Sequence, residues 1–75
     1  FLNLASNLVV DLTPLATLSR LATINLTNNR VTDLSPLLGM AALKQVWVRG
    51  NPLSSTTRSE VVPALRDQGI FVVGL

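Results

Sequence analysis

The sequence predicts a small α/β fold in which similar turns stack on one another. The first observation is a 22-residue repeat, because asparagines recur at Asn7, Asn29 and Asn51, with 29 − 7 = 22 and 51 − 29 = 22. The second is the alternation of apolar and other residues before each asparagine, which is typical of strands. The third is a Thr-Pro or Ser-Pro pair after the first two asparagines, which is a helix-start signal. A single turn of this length cannot bury its apolar side, so the turns must stack.

The strands lie just before the repeated asparagines. Residues 21–31 have a full repeat on either side and therefore set the register. Period-two alternation sends one set of side chains inward and the other to the sheet surface. The amide of each repeated asparagine can donate and accept hydrogen bonds at the bend, so we expect Asn7, Asn29 and Asn51 to form a buried ladder between turns. The predicted inward positions are Leu2, Leu4, Ile24, Leu26, Val46 and Val48.

The return segments carry an apolar residue at every third position, from residue 9 to residue 21 in the first turn. This spacing suits a short 3₁₀ or α segment with one buried stripe. Thr13 and Ser35 each precede a proline, so we expect their hydroxyls to cap these segments. Asp11 and Asp33 lie two residues earlier, where we expect them to bond to backbone donors.

A longer amphipathic helix is predicted after the third asparagine, where the repeat pattern stops. Thr57 and Glu60 fit a capping box at its start. Pro63 is too deep for the first turn of a helix capped by Thr57, so we expect a kink or a restart at Val62. Gly69 is a natural stop for this helix.

A final strand is predicted at residues 70–75, with Ile70 and Val72 inward. We therefore expect one domain, with repeats over residues 1–53 and a C-terminal cap over residues 54–75, and we expect that cap to be the natural close of the stack. The sequence opens at Phe1 inside a repeat. We expect further repeats, or a second copy, to cover that side.

The composition argues against several classes of function. With no Cys and no His, the chain offers no thiolate metal site, no disulfide and no histidine base. It also has no G-x-S-x-G motif, no glycine-rich phosphate loop and no carboxylate cluster, so we predict that it is not an enzyme and binds no cofactor. Its six basic and four acidic residues are scattered, which argues against nucleic acid. No apolar run approaches the ~20 residues that span a bilayer, so no membrane insertion is expected.

The pattern LxxLxLxxNxV followed by D-L-[ST]-P-L resembles the leucine-rich-repeat superfamily. The similarity is to its 22-residue class, shared by bacterial internalin-like proteins and the phosphatase regulatory-subunit type. The ending NPL, VPAL and GIFV is similar to the terminal cap of bacterial members. This resemblance implies a right-handed solenoid, with a parallel sheet on the concave face and short 3₁₀ or α turns on the convex face. It also implies an extracellular or bacterial-surface location, while leaving a cytoplasmic one open.

The outward strand residues are the candidate site, because in such a coil they form columns across the concave face. Trp47 is the only tryptophan, and the alternation sends it outward. It has two interpretations: it is a binding anchor beside Arg49, or it packs on Phe71 and shields the last strand. The central column is predicted as Asn3, Asn25, Trp47 and Phe71, the next as Ala5, Thr27, Arg49 and Val73, and the other flank as Phe1, Thr23 and Gln45.

Two functions follow from these expectations. The first is a protein-interaction module, part of a longer leucine-rich-repeat protein, whose concave face binds a protein partner. The alternative is a structural end of the solenoid with no ligand site of its own, which self-associates through its open N-terminal edge.

Overall fold

The computed structural model describes all 75 residues and has a four-stranded parallel sheet with short helical segments between the strands. This confirms the predicted α/β class. The sheet order follows the chain, β1-β2-β3-β4. No helix is both long enough and apolar enough to cross a membrane. The elements are β1 (Leu2–Asn3), a first 3₁₀ helix (Thr13–Thr17), β2 (Thr23–Asn25), a second 3₁₀ helix (Ser35–Gly39), β3 (Gln45–Trp47), a π-helical segment (Thr57–Val61), α1 (Val62–Asp67) and β4 (Phe71–Val73).

The strand register follows the predicted repeat for the first three strands. Leu2 pairs with Ile24, and Ile24 pairs with Val46, so equivalent residues are 22 positions apart. Val46 pairs with Val72, and 72 − 46 = 26. The longer step reflects the longer helical segment before β4, which replaces a short 3₁₀ turn.

One apolar core lies between the sheet and the helical segments. The inward residues of β2 and β3 are fully buried, and so are Leu34 and Leu37 of the second turn. The predicted inward residues of the first strand, Leu2 and Leu4, are only partly buried. They have the same alternation as Ile24 and Leu26 but no turn on their outer side.

The asparagine ladder forms at two of its three predicted positions. Asn29 and Asn51 are buried, whereas Asn7 is exposed. Asn29 accepts from the Val9 N–H at 3.0 Å and donates to the Leu4 carbonyl at 2.8 Å, both in the preceding turn. Asn7 donates only to carbonyls of its own turn. The prediction of a buried Asn7 is wrong because no earlier turn covers it.

The residue before each repeated asparagine has a left-handed backbone. Ser6, Asn28 and Gly50 have φ of 58°, 57° and 75°. A Cβ at Gly50 would collide with the Asn28 side-chain oxygen, so any side chain there would have to displace the Asn28 side chain.

The N-cap residues of the two 3₁₀ helices are Leu12 and Leu34, and the aspartate before each of them accepts from the first helical residue. Asp11 accepts from the Thr13 N–H at 2.9 Å and from the Thr13 hydroxyl at 2.6 Å. Asp33 does the same for Ser35, at 2.8 and 2.9 Å. The expected aspartate bonds to backbone are confirmed. The expectation that Thr13 and Ser35 cap is wrong, because their hydroxyls donate to these carboxylates instead.

Helical backbone in the C-terminal segment begins at Ser55, three residues before the first helical position after a Thr57 cap. Ser54 accepts from the Thr57 N–H at 3.1 Å, so Ser54 rather than Thr57 is its cap. Thr57 is buried, and its hydroxyl donates to the Thr32 carbonyl at 2.7 Å, which ties the cap to the second turn. The restart expected at Val62 is confirmed, since the π-helical segment ends at Val61 and α1 begins at Val62. The wider π turn accommodates Pro63, which has no N–H to donate.

Candidate protein-interaction surface

The outward residues of the four strands form three rows, which together we call the sheet face. Phe1 extends the first row, because it precedes Leu2 in the paired strand. The strand register then defines the neighbours of each residue from β1 to β4. The first row is Phe1, Thr23, Gln45 and Phe71; the second is Asn3, Asn25, Trp47 and Val73; the third is Ala5, Thr27 and Arg49.

Phe71 is not in the predicted column. It pairs with Gln45 rather than with Trp47, and Val73 takes the place beside Trp47. The predicted register was wrong by two residues in the last strand. A shift of two leaves Ile70 and Val72 inward, and both are buried. Alternation therefore could not distinguish the two registers.

Trp47 contacts Phe1 rather than Phe71. The two rings meet edge to face, with centroids 5.8 Å apart and planes at 64°. Phe1 and Trp47 belong to β1 and β3, which are separated by β2. The two side chains must therefore lean toward each other across β2, where Thr23 and Asn25 are partly buried. We call this pair the aromatic bridge, and it makes Trp47 half-buried rather than free.

The side-chain oxygens of Asn3 and Asn25 each accept a hydrogen bond from the local backbone. The Asn3 Oδ1 accepts from the Ala5 N–H, and the Asn25 Oδ1 accepts from the Thr27 N–H, each at 3.0 Å. These bonds hold the amide groups in a fixed orientation at the ends of the strands. Their Nδ2 donors make no hydrogen bond within the chain and are left to face a partner.

Arg49 is exposed and is the only charged side chain in the three rows. Gly74 passes close beside it, since a Cβ added at Gly74 would lie 2.8 Å from the Arg49 Cβ. Gly74 also has φ of 94°, so glycine is favoured there for two reasons. The C-terminal residues thus line one side of the arginine stem.

The sheet face combines an aromatic and apolar part with a cationic end. Phe71 is 72% exposed and Val73 is 42% exposed, next to half-buried Trp47. Gln45 and Thr27 add partly buried polar groups. The face carries no carboxylate, because Asp11 and Asp33 lie at the 3₁₀ helices, and Glu60 and Asp67 lie in the cap. Such a surface offers packing area, amide donors and one guanidinium for reversible contact.

Sequence reasoning placed the sheet-face residues on one surface but missed the contact made by Phe1. The only available signal was that the alternation places both Phe1 and Trp47 on the outward face of the sheet. Their strands are not neighbours, so cross-strand pairing rules gave no reason to join them.

Comparison with known proteins gives this chain no family. No protein-family model matches the sequence, and no curated protein matches it either. The proposed function therefore follows from the repeat pattern and the geometry of the sheet face.

Proposed function

We propose that the chain is the C-terminal part of a leucine-rich-repeat solenoid of the 22-residue class, with the sheet on its concave face. The spacing of 22 residues between paired positions of β1, β2 and β3 supports this. So does the bonding of Asn29 and Asn51 to the turn before them, which repeats with offsets of 20 and 25 residues. Parallel strands joined by such crossovers are almost always right-handed, so the proposed coil is right-handed.

The proposed function is protein binding by the sheet face. The observation that carries it is the cluster of half-buried Trp47 with exposed Phe71, Val73 and Arg49, on β3, on β4 and two residues beyond the end of β3. Tryptophan and arginine are the residues most enriched at the energetic centres of protein interfaces. The aromatic bridge holds the indole in place before binding, which lowers the ordering cost of association.

The proposal involves no catalytic step, no cofactor and no nucleic acid. An extracellular or bacterial-surface location is proposed from the resemblance alone. The polar residues Asn25, Thr27 and Gln45 border the apolar part and fit the polar rim that surrounds the core of a typical interface.

The test begins with capture of a partner by the immobilised 75-residue chain, followed by calorimetric titration of the purified partner. We expect Trp47→Ala to weaken binding by about tenfold or more, and Arg49→Ala to weaken it by a smaller factor. Arg20→Ala is the matched control, because Arg20 is an exposed arginine outside the sheet face, and its affinity should stay within about twofold.

A melting curve for each variant separates binding from packing. Trp47→Ala also removes the contact with Phe1, so its melting temperature should fall modestly. If the melting temperature falls and the affinity does not change, Trp47 has only a packing role and the proposed binding site is wrong.

Self-association through the N-terminal side is the second candidate function. A groove of about 490 Å³ lies there, lined by Phe1, Leu2, Leu18 and Leu21 among others. Leu18 is 42% exposed, whereas Met40 at the same place in the next turn is buried. Sedimentation of the Leu18→Lys variant tests this candidate, since a charge in the groove should dissociate any oligomer formed there.

A further inference from the structure

The edge strand β4 is apolar and open on its outer side. Residues 69–75 contain no charged residue and no proline, which are the usual protections of an edge strand. Phe71 and Val73 are exposed on the sheet face, while Val72 is buried in the core. Beside this edge lies a groove of about 370 Å³, lined by Arg66, Gly69, Ile70 and the three residues of β4.

The backbone of Val72 points its hydrogen-bonding groups to the open side. The Phe71 N–H donates to the Lys44 carbonyl, and the Val73 carbonyl accepts from the Val48 N–H, both at 2.9 Å. Phe71 and Val73 therefore face β3. Because successive residues of a strand direct their N–H and C=O to opposite sides, both groups of Val72 face away from the sheet.

The other side of the sheet carries side-chain caps just beyond the end of β1. There the Ala5 N–H donates to the Asn3 Oδ1, and the Ala5 carbonyl accepts from the Asn7 Nδ2. Val73 occupies in β4 the row position that Asn3 occupies in β1, and a valine cannot supply such a cap. The Ala5 backbone is thus capped by side chains, whereas no side chain caps the outward groups of Val72.

We infer that β4 pairs with β4 of a second copy of this chain, antiparallel and centred on Val72. A residue with both groups directed outward at the middle of a three-residue strand suits a two-fold axis, because the two copies then exchange both hydrogen bonds. Phe71 of each copy would lie opposite Val73 of the other. Residues 69–75 contain no charged side chain, so no like-charged side chains lie opposite each other in the paired strands.

The dimer formed this way should be weak and reversible. Stable complexes bury about 1,200 Å² or more of total surface. A three-residue strand with two exposed side chains buries less than this. We therefore expect a dissociation constant in the range of tens to hundreds of micromolar. The pairing leaves Trp47 and Arg49 accessible, but it brings Phe71 and Val73 of the proposed binding cluster against the second copy.

Sedimentation equilibrium of the 75-residue chain across micromolar to millimolar concentration tests the inference. We expect a monomer–dimer equilibrium that Val73→Lys weakens by tenfold or more, since two lysines would then flank the paired strands. Val10→Lys is the control: Val10 is 58% exposed and lines neither groove, and Val10→Lys should dimerise like the parent chain. Circular dichroism verifies that both variants are folded.

Amide NMR on the unaltered chain gives a readout that needs no substitution. The Val72 N–H should exchange with solvent more slowly as the concentration rises, and the Ala5 N–H should not change. A chain that stays monomeric at millimolar concentration overturns the inference. It is equally overturned if Leu18→Lys dissociates the dimer and Val73→Lys does not, because the copies then meet through the N-terminal groove.

Discussion

Asn29 and Asn51 each join two consecutive turns through a single side chain. Each amide makes four hydrogen bonds to backbone groups, two of them to the turn before. Asn7 has the same place in its turn but makes two bonds, both local. The identical residue therefore has a different energetic role depending on whether a neighbouring turn is present.

Asn29→Ala should lower the free energy of unfolding by about 3 kcal/mol or more, because it leaves several buried backbone groups without partners at about 1–3 kcal/mol each. Asn7→Ala should cost no more than about 1 kcal/mol, since water replaces its bonds. Urea denaturation of the two variants and the parent chain measures the difference. Equal costs at the two positions would contradict the ladder as described.

The residue roles were partly predictable from sequence. The period of 22 residues predicted that the three asparagines occupy equivalent positions and bond to the adjacent turn. The exposure of Asn7 depends on what lies beside the first turn, which the repeat pattern does not contain. Similarly, the alternation predicted Trp47 on the sheet surface. Its contact with Phe1 depends on whether the two side chains are long enough to meet across β2.

At the scale of elements, the short helices begin where prolines predicted them, but the capping atoms differ. Asp11 and Asp33, rather than the hydroxyls, accept from the first helical N–H groups. Ser54 caps the longer helix by accepting from the Thr57 N–H. The sequence pattern favours Thr57 instead, because Thr57 with Glu60 matches a capping box. Several polar residues in a row offer several possible caps, and backbone conformation selects among them.

The Asp11 carboxylate gives the first 3₁₀ helix a pH dependence. The Thr13 hydroxyl and N–H hold the pKa of the Asp11 carboxyl below its ordinary value of 3.8. A carboxyl with a lower pKa in the folded chain stabilises the fold above its unfolded pKa, and this contribution is lost as the pH falls through the folded pKa. We therefore expect stability to decline below about pH 4 in part through Asp11.

Asp11→Asn isolates this effect, because the amide oxygen can still accept from Thr13 but does not titrate in this range. Thermal melting of both chains from about pH 2 to pH 7 should show a smaller loss at acid pH for the variant. Parallel curves for the two chains across the acid range would mean that the Asp11 bonds contribute nothing to folding.

At the scale of the whole molecule, burial rises from the first turn to the second. Leu37 is fully buried, whereas Leu15 at the same place in the first turn is only partly buried. The sequence alone predicts equal burial for the two leucines, because both occupy the same position of the repeat. The difference comes from stacking, because an inner turn has neighbours on two sides and the first turn has one.

Leu37→Ala should cost about 2–5 kcal/mol of unfolding free energy, and Leu15→Ala roughly half of that or less. Chemical denaturation measures both, and native-state hydrogen exchange adds the spatial pattern. Amides of the first turn should exchange through smaller openings than those of β2 and β3. A uniform exchange pattern, or equal costs for the two leucines, would contradict unequal stability along the stack.

Because Trp47 contacts Phe1, its fluorescence reports whether the first strand is in place. Trp47 is the only tryptophan, so the indole fluorescence of the whole chain comes from a ring that touches the first residue. Fraying of β1 exposes that ring to water while β3 remains paired with β2 and β4. Emission from Trp47 therefore follows the detachment of the first strand, and far-ultraviolet dichroism follows the rest of the fold.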